Sequence, residues 1–117
     1  MRFLCIVHHD ESWFDQRSPA EMEALDRDSM AYDRELAAKD RLVVAEALQS
    51  SRTARLVRVR GGKAAVTDGP FAETKEQMIG FLLIEAGDMD EAVEIARGVP
   101  LARTGTIEVR EIYNVGA

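Results

Sequence analysis

Cysteine, histidine and long apolar runs are all scarce in this chain, and each scarcity excludes a class of protein. Cys5 is the one cysteine among 117 residues. No internal disulfide and no cysteine-based zinc site is therefore available, and a reducing cytoplasm is the expected compartment. His8 and His9 are the only two histidines. They precede Asp10 and Glu11, but neighbouring strand residues point to opposite faces and converge poorly on one ion, so no metal is expected. No apolar run approaches the ~20 residues that a bilayer crossing needs. Only five apolar residues follow Met1-Arg2 before the two histidines, which is too short for a secretory leader. The chain has no nucleotide-cradling glycine loop, dinucleotide fingerprint or nucleophile elbow, and no cofactor is implied.

What is present suits one soluble globular domain over residues 1–117, with 46% hydrophobic and 31% charged residues. A net charge of −6 argues against nucleic acid as the main partner. The charge is uneven. Arg52, Arg55, Arg58, Arg60 and Lys63 follow one another with no acid between them. Such a run reads as a solvated hairpin edge, where cations discourage edge-to-edge pairing. The competing reading is a patch for an anionic ligand.

Periodicity and capping signals give the elements. Residues 2–8 alternate as a strand with apolar residues on both faces, so it is expected to be central. Residues 9–17 read as a polar loop carrying Trp13 and Phe14. Ser18, Pro19 and Glu21 announce a helix by capping box and first-turn proline. Its core stripe is Met22, Leu25, Ser29, Tyr32 and Leu36, and it is expected to end near Lys39-Asp40. Residues 42–48 form a second strand. Residues 55–60 and 63–67 form a hairpin about Gly61-Gly62, a type I′ signal. Residues 78–85 are an apolar strand. Asp88 and Glu91 open a second helix with a predicted stripe of Met89, Ala92, Val93 and Ala96, stopped by Gly98 and Pro100. Residues 106–115 read as the last strand. Two helices and a mostly antiparallel sheet make an α+β sandwich of ferredoxin-like type, with helices on one face. A second subunit is the simplest cover for the other face, so a homodimer is expected.

The most informative stretch is TDGPFAETKEQMIGFLLIE, residues 67–85. Asp68-Gly69-Pro70 forces a bend, and Phe71 after it is expected in the core. VTDGPFAETKEQMIGFLLIE resembles the signature of the DGPF family, within the YCII-related group. MRFLCIVHHDE, SPAEMEAL and TGTIEVREI resemble that family's opening strand, first helix start and last strand, in the right order. The resemblance implies a ferredoxin-like fold that pairs into a dimeric α+β barrel. It also implies a cleft between sheet and dimer interface. Some YCII-like relatives are dehalogenating or lyase-type enzymes with a proposed His–Asp pair, and others accompany sigma factors of the extracytoplasmic-function class. The catalytic relatives carry their histidine on the first helix, whereas residues 18–38 here contain none.

Two functions stay open from the residues. The first is cofactor-independent acid–base chemistry on a small molecule, with His8 as base and Asp68 orienting it. In that reading Trp13, Glu73 and Lys75 contact the substrate, Lys75 holding the carboxylate of a small organic acid. The second is a non-catalytic ligand-binding or interaction module, which the family resemblance ties to transcriptional regulation. There His8 and His9 are surface residues, Asp68 serves its own turn, and Glu73, Lys75 and Glu76 are exposed ion pairs worth under ~1 kcal/mol each. In both readings Cys5 is a buried small hydrophobe rather than a nucleophile.

Overall fold

Strand β1, Arg2–His9, turns Phe3, Cys5, Val7 and His9 to one face, and all four are buried. In the computed structural model, which describes residues 1–116, this strand lies inside a four-stranded sheet. The other sheet strands are β2 (Leu42–Ala47), β5 (Gln77–Glu85) and β6 (Thr106–Glu111). The order is β2-β5-β1-β6, and every neighbouring pair is antiparallel. Register sets Cys5 beside Leu82 and Val109, so the inner faces of three strands coincide.

Helix α2, Pro19–Ala38, and helix α3, Met89–Arg97, pack on that inner face. The capping box at α2 is formed as expected: Ser18 Oγ accepts from the Glu21 amide, and Glu21 accepts from the Ser18 amide. At the other end Asp40 supplies the left-handed residue usually given by glycine, at φ 56°. Its amide donates to Ala37 and that of Arg41 to Leu36, the two bonds that close a Schellman turn. The helices are joined where the Tyr32 hydroxyl donates to the Ile95 carbonyl at 2.6 Å. Asp88 caps α3 through the Glu91 amide. Its buried residues are Ala92, Ile95 and Ala96, whereas Met89 and Val93 are exposed. The expected stripe was thus rotated: Ile95, beside Ala96, meets the core in place of Val93.

Three further expectations change. Residues Ser12–Asp15 form a short helix, α1, inside the predicted loop. The last strand stops at Glu111 rather than 115. The hairpin β3 (Arg55–Arg60) and β4 (Lys63–Asp68) turns at Gly61 and Gly62, both with positive φ as type I′ requires. It forms its own two-stranded sheet rather than joining the other four strands. Among the described residues no helix is long and apolar enough to cross a membrane.

Asp40 strains its backbone at a site where glycine would not. Asp40→Gly should therefore raise stability by up to about 1 kcal/mol in urea denaturation. A loss of stability would show that the aspartate side chain contributes more than the backbone relief.

Candidate functional site

Helix α2 is not seated on the sheet along its whole length. Near its C-terminal end Leu36 is buried and Tyr32 bonds to α3, but Met22, Leu25 and Ser29 are only half-buried. Small residues face this stretch, Ala45 from β2 and Gly80 from β5. The result is a cleft of about 860 Å³, floored by Val7, Ala45 and Leu82 and walled by Phe14, Met22 and Leu25. That volume suits a small organic ligand.

Carboxylates dominate the polar part of the lining: Glu11, Asp15, Asp26, Asp33 and Glu46, against the single cation Arg52. Among the described residues Asp15, Asp26, Asp33 and Glu46 make no ion pair. Burial pushes the Asp33 carboxyl above the usual range, because desolvation penalises its charged form. Burial also raises the neighbouring Tyr32 phenol, with Glu35 adding to the effect. Glu11 is different. Burial would raise it, but bonds from Ser51, aided by Ser50 and the nearby Arg52 charge, together outweigh that and hold it below the ordinary value. Its two oxygens accept from the Ser51 amide, at 3.0 Å, and from the Ser51 hydroxyl. Ser51 opens the short 3₁₀ turn Ser51–Thr53 that leads into β3. Glu11 thus ties the root of the hairpin to the cleft.

The two histidines take opposite sides of the sheet. His8 faces away from the cleft-lining Val7, and its Nε2 meets Glu108 Oε1 at 2.9 Å. His9 turns inward and is fully buried. Its Nδ1 lies 3.0 Å from the Asp10 carbonyl, which can only accept, so that nitrogen carries the proton. Its Nε2 lies 2.7 Å from the Thr104 hydroxyl. Trp13 and Phe14 flank the ring at 4.9 Å each. Gly105 leaves room for this packing, since a β-carbon there would sit 2.6 Å from the imidazole. Both ring nitrogens of His9 are therefore committed.

Asp68 ends β4 with its side chain 84% exposed, 3.2 Å from Arg55 across the hairpin. No hydrogen bond joins it to His8 among the described residues, and each has another partner. Trp13 packs between His9 and Arg17, whose guanidinium stands 4.5 Å over the indole. Its neighbour Phe14, rather than Trp13, lines the cleft. Glu73 and Lys75 are exposed in the loop after the cis Gly69-Pro70 bond. That loop is held by Gln77 Nε2, which donates to the carbonyls of Ala72 and Thr74. Phe71, expected in the core, is 80% exposed. The Pro70 bend directs it off the body instead of back under the sheet. Burial pushes the Cys5 thiol up to about 11, which keeps it protonated and inert near neutrality. Among the described residues no group of three or more His, Cys, Asp or Glu is placed to hold a metal ion.

Sequence reasoning weighed Glu11 only as a metal ligand and passed over Ser51 and Asp33. Asp33 had a faint signal, an acid one step from the apolar stripe of α2. Glu11 and Ser51 lie 40 residues apart, and no local pattern joins them.

An α+β domain with two longer helices, α2 and α3, on an antiparallel four-stranded sheet and a cleft under α2 is the class defined here. The chain belongs to the YCII-related domain family, whose model matches residues 1–115. It is similar to the uncharacterized protein R00369 of Rhizobium meliloti (strain 1021), with 37% identity over 114 residues. The match covers 96% of this chain and 92% of that protein.

Glu11→Ala should cost about 1 kcal/mol at pH 7, because the Ser51 amide and hydroxyl lose their acceptor. Glu11 has a depressed folded value, so its stabilisation is present above the unfolded value of about 4.3 and fades as pH falls through the folded one. Urea titrations of wild type and variant should therefore converge as the pH is taken down through the depressed folded value. A gap of the same size there would exclude the carboxylate as its source.

Proposed function

We propose that this protein is a homodimer that binds a small organic molecule in the cleft between α2 and the sheet. The observation that carries this reading is the cleft itself, about 860 Å³ of mostly apolar wall with Tyr32, Asp33 and Glu11 converging on it. Apolar enclosure supplies affinity, and a few polar groups fix orientation. The lining carboxylates favour a ligand with an apolar body and a cationic or hydrogen-donating head. They weigh against the organic acids that Lys75 suggested, because a second carboxylate would meet like charge.

Binding without turnover is favoured over acid–base catalysis by His8 and Asp68. What supports this choice is that His8 is held by Glu108 on the far side of the sheet and Asp68 by Arg55 on the hairpin. The other imidazole, His9, has both nitrogens engaged.

The dimer rests on the outer face of the sheet. Leu4 and Ile6 of β1 lie beside Leu83 and Phe81 of β5, all half-exposed with no helix over them. The strand order is that of a ferredoxin-like split βαβ sandwich. Two such faces laid together close an α+β barrel and remove this apolar surface from water. With Cys5 reduced and buried, the cytoplasm is the proposed compartment.

Thermal shift against size-matched amines and carboxylates tests the ligand. An amine present at ~100 times its dissociation constant should stabilise wild type by about 2.7 kcal/mol. Ser29→Trp should fill the cleft and abolish the shift, Asp33→Asn should weaken it about 10-fold, and Asp68→Asn should leave it intact. A shift lost only in Asp68→Asn would move the site to the hairpin. Carboxylates winning throughout would reverse the charge argument.

A further inference from the structure

The β3–β4 hairpin makes its own sheet and carries apolar residues that nothing in the chain covers. Register places Arg55, Val57 and Val59 on one face with Asp68, Val66 and Ala64. Val57 is 64% exposed, Val59 58% and Val66 63%. An isolated two-stranded ribbon is marginal in water and needs a surface to pack on. The radius of gyration is 16.2 Å, where a compact chain of about 100 residues has ~13 Å. The ribbon is thus an arm. Next to its root, across the Gly69-Pro70 bend, Phe71 is also uncovered.

Charge identifies the surface it fits. The segment from Arg52 to Lys63 carries five cations and no acid, which leaves the rest of the chain at −11 within a whole-chain charge of −6. The hairpin itself carries four cations, Arg55, Arg58, Arg60 and Lys63, against the single acid Asp68, and a mainly basic arm on an acidic remainder is complementary to a second copy of itself. By two-fold symmetry each arm then meets the other body, and every contact is made twice. A nucleic acid would satisfy the cations but would leave the valines in water and face an acidic body.

We propose that the β3–β4 arm reaches across to a second copy of this chain and is held by it on both faces, with Val57, Val59 and Val66 buried on one face and Arg58, Arg60 and Lys63 on the other meeting acidic residues of that copy. Phe71 joins the contact at the arm's root. The proposal rests on the dimer reading above but adds a contact that the outer sheet face does not supply. Because Ser51 begins the arm and Glu11 holds it beside the cleft, arm docking also steadies one wall of the ligand site.

Analytical ultracentrifugation of wild type, Val57→Ser/Val66→Ser and Arg58→Glu/Arg60→Glu tests it, with circular dichroism as a check on folding. These side chains are exposed, so the monomer should fold unchanged. Both double variants should weaken dimerisation at least ~10-fold. The salt dependence of wild-type association should be lost in the charge variant. Hydrogen exchange should show arm amides protected only at concentrations where the dimer forms. Wild-type dimers with variants of equal affinity would overturn the arm contact and leave the sheet-face dimer standing. A wild type that stays monomeric would overturn both. Unchanged dimerisation with loss of duplex DNA binding in the charge variant would reassign the arm to a polyanion.

Discussion

Burial of one face of β1 is the constraint on which the rest of this structure depends. Phe3, Cys5, Val7 and His9 are removed from water only because β5 and β6 pair on either side and two helices cover them. Each such apolar side chain contributes roughly 1.5–3 kcal/mol on full burial, so strand register follows from keeping all of them inside. A shift by one residue would bury Leu4, Ile6 and His8 instead and expose the present core. The same alternation sends the two adjacent histidines to different worlds. One becomes a packed core group with fixed hydrogen bonds, and the other an outer-face partner of Glu108.

The cleft is a product of how α2 is held. Its C-terminal half is fastened by Leu36, by the Tyr32–Ile95 bond and by the Schellman turn at Asp40. Its N-terminal half carries only half-buried apolar residues over a floor of Ala45 and Gly80. A helix anchored at one end above small side chains leaves a space instead of a closed core. Acids then collect around that space, and Asp33 shows the consequence, a carboxyl made harder to ionise by its surroundings. Glu11 shows the opposite outcome within the same lining, since Ser51 supplies the hydrogen bonds that Asp33 lacks.

What could be read in the residues was local. The capping box of Ser18 and Glu21, the Asp88 cap and the Gly61-Gly62 turn all form as written, because each is decided by atoms a few residues apart. The alternation of β1 and the apolar run of β5 were equally plain. The short helix at Ser12–Asp15 was not, since a single turn has too few positions to show a period. The α3 stripe was misassigned for a related reason. A nine-residue helix leaves its rotation open, and contact with the sheet selected Ile95 over Val93. Phe71 looked like core because it is large and apolar, but nothing in its neighbourhood states which way the Pro70 bend points. The candidate site was the least legible part. Its charged members come from β1's exit, α1, α2, β2 and the start of the arm, and only the fold assembles them.

The sequence by itself determined the longer elements and their order, the caps at Ser18 and Asp88, and the separation of a basic segment from an acidic remainder. It also determined the family, through a long run of matching residues centred on Asp68-Gly69-Pro70-Phe71. Tertiary structure decided what those parts amount to. It set the side of the sheet each histidine occupies, raised the first long helix off the floor to open a cleft, and held the hairpin away from the body as an arm. These are relations between residues distant in the chain, 40 positions apart for Glu11 and Ser51 and 100 for His8 and Glu108. They depend on which surfaces meet, and no local propensity carries that information.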